Sequence, residues 1–149
     1  MTGSAGARAD KLYSPSLLAL AAALADYPLT DGFALTGEGR SRTCGSTIAL
    51  GFDADGEGRI AGIGMQVAAC AIGQGSAAIL AGGIAGRRPD EVAAAAAALE
   101  AWLSGEGDLP DWPGIEALAP ARDHPGRHGA LLMPWKAAEA ALLQAGSSG

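Results

Sequence analysis

Residues 47–67 read TIALGFDADGEGRIAGIGMQV, and this stretch decides the fold. Ile48, Leu50 and Phe52 alternate with other residues, and Ile63, Met65 and Val67 do the same after Ile60. Successive strand side chains point to opposite faces, so each run predicts a strand with one buried face. Asp53 to Gly58 lies between them, polar and rich in glycine, and predicts a turn. Phe33 to Thr36 is a candidate short strand ahead of the pair. Together they form a small antiparallel meander.

Beyond Cys70 the period changes from two to that of a helix. Ile72, Ser76, Ile79 and Leu80 share a helical face, and Gly82-Gly83 is the expected stop. Pro89 opens a second helix, with Asp90 and Glu91 in its electropositive first turn. Val92, Ala96, Leu99, Trp102 and Leu103 form its buried stripe. Ser104 to Pro125 reads as a long connecting loop. A final helix carries Leu131, Leu132, Trp135, Leu142 and Leu143, and Pro134 either kinks it or marks its start. Upstream, Pro15 to about Ala25 is a helix that ends before Pro28. Strands first and helices afterwards predict an α+β fold, a three-stranded antiparallel sheet with helices packed on one face. The expected organisation is a flexible lead-in at 1–11, one domain at 12–145 and a flexible tail at 146–149.

The chain has 149 residues, 49% hydrophobic and 17% charged, enough to bury a core without disulfide staples. Ten basic against 16 acidic residues give a net charge of −6, which argues against nucleic acid and anionic membranes as partners. The apolar run from Leu17 to Ala25 is shorter than the ~20 residues of a spanning helix. Arg8 and Lys11 before it and Ala23-Leu24-Ala25 at its end also fit a signal peptide, but the proline-led start favours an amphipathic helix in a cytoplasmic protein. Two cysteines do not make a disulfide framework and suit a reducing compartment.

Several patterns carry no chemistry. Asp53-Ala54-Asp55-Gly56-Glu57-Gly58-Arg59-Ile60 resembles the first half of a calcium-binding loop, but the closing glutamate falls on Gly64 and the flanks are strands. Gly37-Glu38-Gly39 and Gly73-Gln74-Gly75 lack the remaining residues of phosphate loops. His124 and His128 do not form a metal-spaced pair on a helix. The cysteines are the best signal. Cys44 lies in the turn leading into the middle strand, with Arg40 and Arg42 beside it. Cys70 lies where the last strand hands over to a helix, and a helix N-terminus favours the thiolate, the nucleophilic and metal-binding form. Both sit at element ends of one small unit, so they can meet. Two thiols alone do not complete a four-ligand site.

These residues stand in an order that resembles the NifU/IscU/SufU family of iron–sulfur cluster assembly scaffolds. Leu12-Tyr13-Ser14-Pro15 is similar to the family's opening motif. Cys44-Gly45 before a strand and Cys70-Ala71-Ile72 with Ser76-Ala77 resemble its first two cysteine sites. Gly86-Arg87 is similar to the glycine-lysine before its next helix. The insert and the ending from Arg127 to Trp135-Lys136-Ala137 resemble the SufU branch most. The resemblance spans nearly the whole chain after residue 11. It implies Cys44 and Cys70 as cluster ligands or persulfide-accepting thiols; Arg42, by its charge beside Cys44, is the expected electrostatic aid. The expected partners are a cysteine desulfurase and other cluster-assembly proteins.

The departures are as informative. The family's asparagine-proline falls on Ser41-Arg42, its aspartate on Ser46 and its third cysteine on Ala130, while the IscU-branch histidine falls on Gly129. His128, or less readily His124, is the candidate extra ligand, and Ser46 is a further candidate ligand or aid. A homodimer with two thiolates from each copy, or a partner protein, would also complete the shell. The cargo is a transient iron–sulfur cluster. The alternatives are a zinc-dependent sulfur-transfer accessory and a metal-free docking or regulatory protein. In each case the chain is a carrier or accessory rather than an enzyme.

Overall fold

The computed structural model describes residues 15–41 and 45–147. The lead-in at 1–11, Arg42 and Cys44 lie outside them. Helix α1 spans Pro15–Ala22 and tightens into a 3-10 turn at Ala23–Asp26. Strands β1 (Leu35–Arg40), β2 (Thr47–Ala54) and β3 (Ile60–Ala68) follow, then α2 (Ala71–Ile84) and α3 (Pro89–Leu103). Two 3-10 segments, Ile115–Asp123 and Pro125–Arg127, lead into α4 (His128–Ser147). The sheet is three-stranded and antiparallel in the order β1-β2-β3. No helix among the described residues is long and apolar enough to cross a membrane.

The alternation in 47–67 works as expected. Ile48, Leu50, Phe52 and Met65 are buried in the core beneath the helix layer. The stripe of α3 is buried at Val92, Ala96, Leu99, Trp102 and Leu103. Asp55 explains the calcium-like turn. Its Oδ1 accepts the N–H groups of Glu57 at 2.8 Å and Arg59 at 3.0 Å. Those two bonds hold its carboxyl below the ordinary value. Asp53 Oδ1 accepts the Ala34 N–H at 3.1 Å, so both carboxylates organise backbone.

Three expectations need correction. The first strand is not Phe33–Thr36 but Leu35–Arg40. Its glycines, which weaken a strand in isolation, are what α4 requires. A Cβ on Gly37 would stand 2.8 Å from the Ala141 Cβ, and one on Gly39 3.0 Å from the Ala137 Cβ. The Gly82-Gly83 pair does not stop α2, which continues to Ile84. Gly83 instead makes room for the indole of Trp112, whose Nε1 donates to the Ile79 carbonyl at 2.8 Å. Ser104 to Pro125 is not simply a loop, because Trp112, Ile115, Leu118 and Ala121 are buried along it. Leu143, carried by the last helix, is 67% exposed. That helix starts at His128, with Pro134 inside it.

Candidate functional site

β3 ends at Ala68 and α2 begins at Ala71, with Cys70 as the N-cap residue between them. Its backbone is extended, at φ −67° and ψ 172°, and its side chain makes no capping bond. The Cys70 carbonyl accepts the Gln74 N–H at 2.9 Å, which begins the helical ladder. Gln74 Nε2 reaches back to the Ala69 carbonyl at 2.7 Å and pins the strand-to-helix junction. Cys70 is a free, half-buried thiol at the positive end of a 14-residue helix with no acidic residue in its first turn.

The other cysteine belongs to the β1–β2 connection. Ser41 N–H donates to the Ser46 carbonyl at 2.8 Å, and Gly45 N–H donates to the Ser41 carbonyl at 3.2 Å. Gly45 has φ +68°, a left-handed conformation that glycine adopts without penalty. These bonds tie Ser41, just after β1, to Gly45 and Ser46, just before β2. In the next ladder Ile48 pairs with Val67 and Thr47 with Ala68. Thr47 follows Cys44 by three residues in the chain, and Ala68 precedes Cys70 by two. The start of β2 and the start of α2 therefore occupy one end of the sheet.

Ala130 comes to the same end. A Cβ on Gly73 would lie 3.5 Å from the Ala130 Cβ, so the first turns of α2 and α4 are in contact. Ala130 is fully buried and its methyl offers no donor. Ser46, just before β2, is also buried, 3% exposed. His128 opens α4, two residues before Ala130. Its Nε2 is 2.9 Å from the Arg122 carbonyl oxygen, so that nitrogen is the donor and only Nδ1 is left for another partner. His124 ends the preceding 3-10 segment. Among the described residues no three His, Cys, Asp or Glu side chains gather as a metal would need.

A buried relay not foreseen in the sequence fixes α4 against α2. Trp135 Nε1 donates to Ser76 Oγ at 2.9 Å, and Ser76 Oγ donates to the Leu131 carbonyl at 2.6 Å. Trp112 packs edge-on to Trp135 with ring centroids 4.8 Å apart, and the Arg87 guanidinium covers the Trp112 ring at 4.0 Å. The clue was Ser76, a hydroxyl on an otherwise apolar helical face. Such a group is retained in a core only with a partner.

The fold recurs in a solved structure, the N-terminal part of a nitrogen-fixing NifU-like protein from Brucella abortus. The two superpose with a TM-score of 0.87 at 24% identity, over 95% of this chain and 99% of that one. The fold is NifU-like. A protein from thermophilic Fervidobacterium islandicum AW-1, described as an iron–sulfur cluster assembly scaffold for the SUF system, shares this NifU-like fold. Its TM-score is 0.78 at 22% identity, over 89% of this chain and 98% of that one. A third chain, described only as a hypothetical protein, matches with a TM-score of 0.64 at 21% identity, over 85% and 96%. No family model and no curated protein matches the sequence.

Proposed function

We propose that the chain is a divergent cluster-assembly scaffold, a cytoplasmic carrier that takes iron and sulfur on Cys44 and Cys70. The observation that carries this reading is the sheet register, which pairs Thr47 at the start of β2 with Ala68 at the end of β3, two residues before Cys70 at the N-terminus of α2. The NifU-like fold supports it. The donor set limits the form of the cargo. Each copy offers two thiolates, and four-thiolate clusters need two more. These come from a second copy or from the sulfur-supplying cysteine desulfurase. Ala130 and the buried Ser46 supply no thiolate.

Anaerobic reconstitution with ferrous iron and sulfide tests the proposal. A visible sulfur-to-iron charge-transfer band is expected, together with its loss in Cys44→Ser and in Cys70→Ser. Stoichiometric zinc without that band would indicate the zinc-dependent accessory. The absence of both would leave a metal-free docking protein. That second reading is favoured by the engagement of His128 Nε2 with the Arg122 carbonyl, which takes one nitrogen of the candidate extra ligand.

A further inference from the structure

The free edge of β1 has the features of an acceptor for one more strand. Ser41 and Ser46 form a hydrogen-bonded pair. Such pairs alternate along an antiparallel ladder, so Gly39–Ile48 and Gly37–Leu50 are hydrogen-bonded pairs too. The main-chain N–H and C=O groups of Glu38 and Arg40 then point away from β2. Among the described residues nothing takes them. A groove of 830 Å³ runs beside residues 38–41, walled by Leu132, Met133 and Lys136 of α4 and by Glu100 of α3. It follows the strand for four residues, roughly 13 Å at ~3.3 Å per residue.

The wall selects the occupant. Lys136 Nζ pairs with Glu100 Oε1 at 3.1 Å, which places the last turns of α3 beside the β1 edge. A second copy pairing through the same edge would bring its own helix layer into that space, whereas a single extended segment brings none. Glu38 and Arg40 are both exposed on the outer face and form no ion pair among the described residues. An antiparallel segment would set an acidic side chain opposite Arg40 and, two residues later, a basic one opposite Glu38. The residues preceding that acidic position would lie against Ser41, at the foot of the connection that includes Cys44.

We propose that this groove binds, as a fourth strand, an extended segment of the sulfur-donating partner whose cysteine shortly precedes an acidic-x-basic pattern. The identity of the partner rests on the carrier reading above. In the docked complex a thiolate of this chain attacks the outer sulfur of the donor's cysteine persulfide. The donor's S–S bond breaks as the new one forms, and the donor leaves as a thiolate.

The test uses the full chain and the cysteine desulfurase of its source organism. Residue-resolved amide exchange should slow at least tenfold at Glu38 and Arg40 in the complex. Glu38→Pro removes one outward N–H and leaves the β2 ladder intact, so it should weaken binding at least tenfold. Glu38→Ala keeps that N–H and should weaken binding only a few-fold. Absence of binding, a complex without protection at these two amides, or wild-type affinity in a folded Glu38→Pro variant would overturn the proposal. Protection that grows with protein concentration in the absence of desulfurase would assign the edge to a second copy and overturn it too. If Glu38→Pro does not fold, the wild-type exchange data decide. Reconstitution with free sulfide needs no donor, so its failure sinks the carrier reading alone.

Discussion

At the hairpin end of the sheet, Phe33 lies across the cross-strand pair Gly51–Gly64, on the face that the helices leave open. At the cysteine end the same face is bare, a shallow hollow of 530 Å³ lined by Glu38, Arg40, Thr47, Ala49, Gln66 and Ala68. The inner faces do not differ in this way, since helices cover both ends. One half of the outer face has been closed with the chain's own aromatic ring, and the other half has been left polar and accessible. On this outer face the packing contact lies where the ring sits, and the exposed charged groups Glu38 and Arg40 lie where it does not.

That contrast can be broken from either end. The largest effect belongs to Cys70→Ser, which should abolish the visible band in reconstitution while shifting the urea midpoint little, because the side chain is half-buried and makes no capping bond. At the opposite end Gly64→Ala should cost about 2–3 kcal/mol in urea unfolding and leave reconstitution unchanged. Its new Cβ would collide with the Pro28 carbonyl oxygen and stand 2.6 Å from the Phe33 ring. The carbonyl is backbone, so the strain is not relieved by a rotamer change. Phe33→Ala should cost about 1–2 kcal/mol, less than a fully buried phenylalanine. Combining it with Gly64→Ala should cost less than the sum, because the ring is one of the two obstacles. Ala68→Thr, on the bare half, should stay within about 0.5 kcal/mol.

The smallest effect concerns acid. Asp55 has its carboxyl held down by the Arg59 and Glu57 N–H bonds. Its contribution is therefore full above the unfolded value of 3.8 and is lost as the pH falls through the lower folded value. Asp55→Asn should make the decline in stability between about pH 4 and pH 2 slightly shallower in urea titrations.

Much of this was legible in the sequence. The alternation in 47–67, the proline-led start of α3 and its buried stripe are local patterns, and the core followed them. The placement of Cys70 at a strand-to-helix junction was equally local. What escaped depended on partners distant in sequence. Gly37 and Gly39 fall outside the expected strand because the reason for them, the alanines of α4, lies about a hundred residues away. Gly83 read as a helix stop because Trp112 lies beyond the end of the next helix. The groove beside β1 left no sequence pattern, since it arises from the arrangement of three separate elements.

The sequence alone determined the order and type of most elements, the two thiols and the shortage of further ligands, because each follows from residue chemistry and short-range periodicity. Only the tertiary structure decided the sheet register that brings the start of β2 to Cys70, the commitment of His128 Nε2 to a carbonyl and the open edge of β1. Those depend on which distant segments pack together, and close packing is a property of the assembled chain rather than of any window along it.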